Sequence, residues 1–299
     1  MRVLAEFVMK SPGRALGAAA VTAFIPVLSL ISSAIVALVW LRMGSAQGIK
    51  VLAAAALPGI YYWVTAASPD VLLVVVGAAL LAEILRTNRG WGHVLLVGAF
   101  AAVFVALTVQ WLDDDLQAQV IGVLVDQGGL AASYDLSTFD QQQLATMLAG
   151  LFNGVITAVQ LLLLLASVLL ARWWQAVLYN PGGFQAEFHA VRLPLWSAAI
   201  PPVLLILIAS GQVWLLPAMP VLLVPYLIAG IALVHSAFAI KKYNSFWLGL
   251  LYVALLFIQP YMSFLLVLIA LADSVMNIRH RLAPPPSPPS LDKDDDGKA

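Results

Sequence analysis

The sequence predicts an all-α fold: a polytopic transmembrane helix bundle with about 8–10 membrane-crossing helices, some of them short. Three observations carry that prediction. Of 299 residues, 62% are hydrophobic and only 10% charged, against roughly 25% charged in an ordinary soluble domain. Apolar segments recur along nearly the whole chain. Basic residues fall in alternate connections between those segments, the pattern that fixes membrane orientation. Residues 1–282 are therefore expected to form a single transmembrane helical domain.

Residues 1–14 carry Arg2, Lys10 and Arg14 and precede an apolar run, 15–41, interrupted by Pro26. One helix there would be about 27 residues or roughly 40 Å long, more than a roughly 30 Å hydrocarbon core requires. The connection after it is also basic, so the run is expected to turn near residues 26–29 and return to its starting side as a helical hairpin. The rivals are one tilted span and a signal peptide, the latter without a convincing cleavage site.

Further apolar segments cover 51–67, 71–85, 91–111, 145–171, 195–210, 218–240, 246–258 and 261–278. Arg42 with Lys50, Arg86 with Arg89, Arg172 with Arg192, Lys241 with Lys242, and Arg279 with Arg281 mark connections assigned to the cytoplasm. The intervening connections hold no Lys or Arg. With the hairpin, both termini are expected to be cytoplasmic. Trp91 and Trp111 bracket one span at about 30 Å, the spacing of interfacial aromatic belts. Residues 247–278 are long for one helix and short for two, and Gln259-Pro260 is the expected break, since proline lacks a backbone donor and disfavours helix in the residue before it.

The exterior acidic loop, 112–141, contains Asp113, Asp114, Asp115, Asp126, Asp135 and Asp140 and no basic residue. Leu116, Val120, Val123 and Leu124 recur at helical spacing, predicting a short interfacial helix. Thr138 with Gln141 predicts a capping box for the helix that follows. Residues 283–299, proline-rich and then acidic, are expected to be a disordered cytoplasmic tail.

Several chemistries find no support. Without cysteine there are no disulfides, thiolate ligands or cysteine nucleophiles. His93, His189, His235 and His280 are scattered without metal-site spacing. No G-x-S-x-G or Walker motif occurs, so no serine-nucleophile site and no ATPase of the chain's own are expected. No cofactor and no nucleic-acid partner are expected either. An enzyme is the least supported class.

Two sets of residues stand out. On the segment from 145 to 171, Thr146, Gly150, Asn153, Thr157, Gln160 and Ser167 lie on one helical face, with Gly150 and Gly154 forming a G-x-x-x-G pair. Such a face must turn inward in lipid. Packing through small residues is the plain reading. The functional one is a ligand pathway of Asn153, Thr157 and Gln160, with His235 from a later span, and it predicts an outward-open cavity. His235 has no acidic partner apparent in the sequence, and an intramembrane enzyme would need one.

The second set is the cytoplasmic hub, 172–194. Arg172, Trp173 and Trp174 are expected at the bilayer interface. Asn180, Pro181, Gly182 and Gly183 form a strong turn signal. Phe184, Phe188 and Val191 make an apolar stripe beside Glu187 and Arg192, predicting a surface-lying helix that meets the lipid bilayer or docks a protein partner. Elsewhere, Glu83 and Arg86 have the spacing of a local ion pair. Asp273 and Asn277, near Arg279, are placed to anchor the last span against the hub.

The run ARWWQAVLYNPGGFQAEF, 171–188, its continuation to 193, the closing ADSVMNIRHRL, 272–282, and SAQGIKVLAAAALPG, 45–59, resemble the YybS-like family of bacterial inner-membrane proteins. The resemblance covers nearly all of the chain except the tail, and implies a bacterial inner-membrane location. That family is distantly similar to the substrate-binding membrane components of energy-coupling-factor vitamin transporters, which bind small molecules outside and dock an energising complex inside. The chain departs from them in having more spans than their usual six and no vitamin-site signature, and the family implies no catalytic residues. The expected function is a transporter-like component that binds an unknown small molecule and lacks its own ATPase. The alternative is a scaffold or regulator docking a cytoplasmic partner through 172–193.

Overall fold

The computed structural model describes residues 2–87, 90–112 and 141–282, and all regular structure among them is helical. Arg89, the acidic loop with its predicted helix and capping box, and the tail lie outside the described residues. The helices are α1 (Arg2–Met9), α2 (Pro12–Ala23), α3 (Ser29–Met43), α4 (Ser45–Ala66), α5 (Asp70–Arg86), α6 (Gly90–Leu112), α7 (Gln141–Tyr179), α8 (Gly183–His189), α9 (Ile200–Ala209), α10 (Ala218–Ile240), α11 (Phe246–Phe257), α12 (Tyr261–Met276) and α13 (Ile278–Leu282).

Residues 15–41 divide into two helices. Ser11, in extended conformation, caps α2 by accepting from the Arg14 amide, with Pro12 in the first turn where its missing N–H costs nothing. Beyond Ala23, Ile25 is extended (φ −110°, ψ 108°) because the following Pro26 disfavours the helical region. The chain then reverses into α3. Ser32 Oγ donates to the Ala19 carbonyl at 2.7 Å, joining the two arms, and Ala19 and Ala23 are fully buried between them.

Helix α3 is the centre of the bundle. It packs against α2, α4, α5 and α7, and every residue from 32 to 41 is buried. Its sequence is apolar or small on all sides, as an element without a solvent face must be. Small residues at Ser32, Ser33, Ala34 and Ala37 let neighbouring backbones approach, the main source of helix association in lipid.

Among the described residues, five segments are long and apolar enough to cross a membrane: Pro26–Met43, Ser45–Ala66, Gly90–Leu112, Thr146–Tyr179 and Val213–Ile240. The chain is thus a multi-pass membrane protein. Leu195–Ala209, Phe246–Phe257 and Tyr261–Met276 form shorter apolar helices, the last two separated at Gln259–Pro260. Helix α7 has 39 residues, about 58 Å at 1.5 Å per residue, so it projects well beyond a hydrocarbon core of about 30 Å. That overhang carries the hub.

A second layer forms where α10 packs against α6, α7 and α12. Its approach to α12 is close: a Cβ on Gly230 would stand 2.3 Å from the Leu266 carbonyl oxygen. Helix α11, by contrast, buries only Leu251.

Candidate functional site

The polar face of α7 is packed inside the bundle. Asn153 and Thr157 are buried, and Asn153 Nδ2 donates to the Ala106 carbonyl of α6 at 2.8 Å. Thr157 Oγ1 lies 3.5 Å from Asn153 Oδ1. Gly154 meets the Pro217–Pro220 turn, where a Cβ would come within 2.5 Å of the Pro217 carbonyl oxygen. Gln160 is half-buried and reaches Asp70 Oδ1 at 2.5 Å, joining α7 to the start of α5. Ser167 is fully buried and returns its hydroxyl to the Leu164 carbonyl. Each group on this face thus has a partner in the protein, which is what an apolar surrounding demands of a polar side chain.

His235 lies apart from that face. Its Nε2 is 2.9 Å from Tyr252 Oη, and its ring packs against Phe188 at 5.6 Å and His189 at 6.4 Å between centroids. No carboxylate among the described residues hydrogen-bonds or ion-pairs with it. The predicted grouping of His235 with Asn153, Thr157 and Gln160 is replaced by a cluster of His235 with the hub helix. His189, outside the spans, has its pKa pulled below the ordinary histidine value by burial first and by the Arg279 charge second.

The hub is built on the overhang of α7. The helix runs through Arg172, Trp173 and Trp174 to Tyr179, and Asn180 N still bonds the Ala176 carbonyl at 2.8 Å. Pro181 and Gly182 turn the chain into α8. Gly182 adopts φ 86°, a left-handed conformation natural to glycine, and a Cβ on Gly183 would strike Asn180 Nδ2 at 2.3 Å. The left-handed φ of Gly182 is the backbone reason for a glycine in this turn. Trp174 is fully buried inside the protein and so is unavailable to any docked partner, a correction to its place in the docking surface. Phe184 and Phe188 stack on each other at 5.8 Å and pack against the core, with Val191 buried beside them. Much of the predicted docking stripe thus closes the protein's own end.

The charged residues of the hub pair with one another. Arg172 grips Glu187 bidentately, with Nε donating to Oε2 at 2.8 Å and Nη2 to Oε1, while Nη1 reaches Gln175 Oε1 at 2.5 Å. Such a planar fork holds α8 against α7. Glu83 pairs with Arg86 at 3.0 Å and also accepts from Trp40 Nε1 at 2.6 Å, a third member from 43 residues away that no local spacing reveals.

Behind them, buried Asp273 is shared by two arginines: Oδ2 lies 3.4 Å from Arg279 Nε and 4.0 Å from Arg192 Nε. The former is an ion pair without hydrogen-bond geometry. Arg192 donates to the Asp273 and Ser274 carbonyls at 3.1 and 2.9 Å, and Arg279 donates to those of His189 and Val191 at 2.5 Å each. Burial lowers the Arg279 pKa, Asp273 opposes the shift, and the Arg192 charge adds to it. Asn277, at φ 49°, ends α12 in a left-handed cap.

Arg172, Glu187 and Arg192 from these contacts border an open cavity of about 760 Å³ at the hub. Its charged lining is Arg86, Arg172, Glu187 and Arg192, joined by His93 and by the first turn of α6. Gly92 in that turn sits so close to the hub that a Cβ would stand 2.7 Å from the Arg192 carbonyl oxygen. Buried Trp91, whose indole N–H has no partner in the structure, completes one wall. Guanidinium groups, a helix amino-terminal turn and an open mouth make a chamber suited to a polar small molecule. Nothing in the local spacing of Arg86, His93 and Gln175 marks them as parts of one site. They lie on α5, α6 and α7, and only packing brings them together. No family model, curated protein or solved structure matches the chain.

Proposed function

We propose that this protein is a transporter-like, small-molecule-binding membrane component without an ATPase of its own. In this reading it belongs to the YybS-like family, sits in a bacterial inner membrane with both termini cytoplasmic, and holds its ligand in the hub cavity. The observation that carries the proposal is that cavity, whose volume of about 760 Å³ falls within the roughly 300–1,000 Å³ of small-molecule sites. Support also comes from the two stretches bearing the family resemblance, 171–188 with its continuation to 193 and 272–282, because they meet here through Arg192, Asp273 and Arg279. The face at Asn153 and Thr157 offers no comparable argument, since its polar groups are matched internally. A protein partner would meet the exposed turn at 179–182.

The test is untargeted ligand identification by mass spectrometry on the purified full-length protein, after thermal-shift enrichment. Alongside it runs A190W, a bulky substitution at an exposed residue lining the cavity. A compound that stabilises the wild type and loses its effect on A190W supports the reading. Equal stabilisation of both proteins, or no compound at all, overturns it.

A further inference from the structure

Resting on the reading of the hub cavity as a binding site, we infer that its ligand is an anion bearing a phosphate or carboxylate group, and that the Glu187 carboxylate occupies part of that anion's place when the site is empty.

The charges around the cavity do not balance. Among the described residues that line the cavity or ion-pair with its lining and its partners, four guanidinium groups, of Arg86, Arg172, Arg192 and Arg279, meet three carboxylates, of Glu83, Glu187 and Asp273, with Arg279, Glu83 and Asp273 standing behind the wall. One positive charge is left over, and its position follows from the geometry. Arg86 has Glu83 and Arg172 has Glu187, each through a two-bonded contact. Arg192 and Arg279 divide Asp273 between them. Arg279 is the more deeply buried and the closer to the carboxylate, whereas the Arg192 side chain is 34% exposed and lines the cavity. Arg192 therefore carries the excess charge at the cavity wall, its guanidinium held on the Asp273 and Ser274 carbonyls, with the positive end of α6 lining the same cavity.

Arg172 presents a second guanidinium to the same space. Its fork matches a carboxylate or phosphate, and Glu187 fills it from the protein's own chain. Glu187 comes from α8, a helix of only seven residues. The pair is about one-third exposed on both sides, so an entering anion exchanges one water-accessible carboxylate for another at modest cost. Neutral ligands would leave the excess charge uncompensated, and cations would be repelled by it. A free anion and an anionic lipid headgroup share the required chemistry.

The experiment uses the full-length protein in nanodiscs and reads the unfolding temperature. One arm titrates inorganic phosphate into phosphatidylcholine discs. The other replaces phosphatidylcholine stepwise by phosphatidylglycerol at constant salt. Each is repeated with E187Q, which keeps an acceptor for Arg172 but removes the competing charge. Stabilisation by phosphate in phosphatidylcholine, with the half-maximal concentration lowered about threefold to fivefold in E187Q, supports a free anion. Stabilisation only by phosphatidylglycerol, with a smaller fraction sufficient for E187Q, supports a headgroup. A gain in affinity cannot come from misfolding, which keeps the test decisive. No response in either arm for either protein overturns the inference, as does a response that E187Q leaves unchanged. If a neutral compound is then recovered from the wild type but not from A190W, the cavity reading stands and only the ligand class falls.

Discussion

The inner face of α7 and its overhanging end are two polar interruptions of one helix, and they resolve in opposite ways. At Asn153 the neighbour is α6, whose Ala106 carbonyl accepts from the amide, and the adjoining Gly154 packs closely on Pro217 and Pro220. At Arg172, nineteen residues on, several charged groups are arranged around a cavity. The difference is one of environment. Within the span there is no water to offset a mismatched group, so pairing inside the protein is favoured; Asn153 and Thr157 are paired in this way, while Gln110 Oε1 on α6 is buried without a partner. At the end of the helix, water offsets the desolvation of charges, and a chamber can stay open.

The comparison breaks most visibly at Asp273. D273A leaves Arg279 buried without its carboxylate, and the expected loss is about 3–5 kcal/mol, the cost of stranding one partner of a buried ion pair. Thermal unfolding of the purified full-length protein measures it, and a variant as stable as wild type would mean that the backbone carbonyls alone hold both arginines. Next comes G154A on the packed face, where the added methyl meets the Pro217 carbonyl oxygen at 2.5 Å. Overpacking of this kind is expected to cost about 1–3 kcal/mol in the same assay. N153A follows at about 1–2 kcal/mol, because it leaves the buried Ala106 carbonyl without this donor. Ligand binding at the hub should be unaffected by N153A, and a loss there would rejoin the two regions.

The smallest effect concerns pH. The folded-state pKa of His189 is depressed below its unfolded value by burial and by Arg279. The unfolded chain therefore takes up this proton first, so stability from this group is intact above about pH 6.5 and declines as pH falls through the window below it. Melting curves at about pH 7.5 and 5.5 should show a drop that narrows in H189N, and an unchanged drop would place the acid sensitivity elsewhere.

Much of the architecture was legible. Pro26 marks the turn between α2 and α3, and Gln259-Pro260 marks the break between α11 and α12, because proline acts on its own backbone and needs no tertiary context. Asn180 to Gly183 announced the hub turn for the same reason. Helical spacing groups Asp273 with Asn277 near Arg279, whereas the engagement of Arg192 by that carboxylate has no local signal. Trp174 shows where local reading fails. An Arg-Trp-Trp run reads as an interfacial belt, yet its second ring is fully buried, because burial depends on what folds back over it.

Composition and periodicity by themselves determined that the chain is helical, apolar enough for several membrane spans, and divided at its prolines and glycines, since these properties are set by each residue and its near neighbours. The tertiary structure alone decided which polar groups are used up in packing and which surround a cavity. Asn153 and Arg172 occupy the same helix and look equally functional in one dimension. What separates them is the partner each finds, a carbonyl 47 residues away for one and a carboxylate across a turn for the other, and partners across such distances are set by packing.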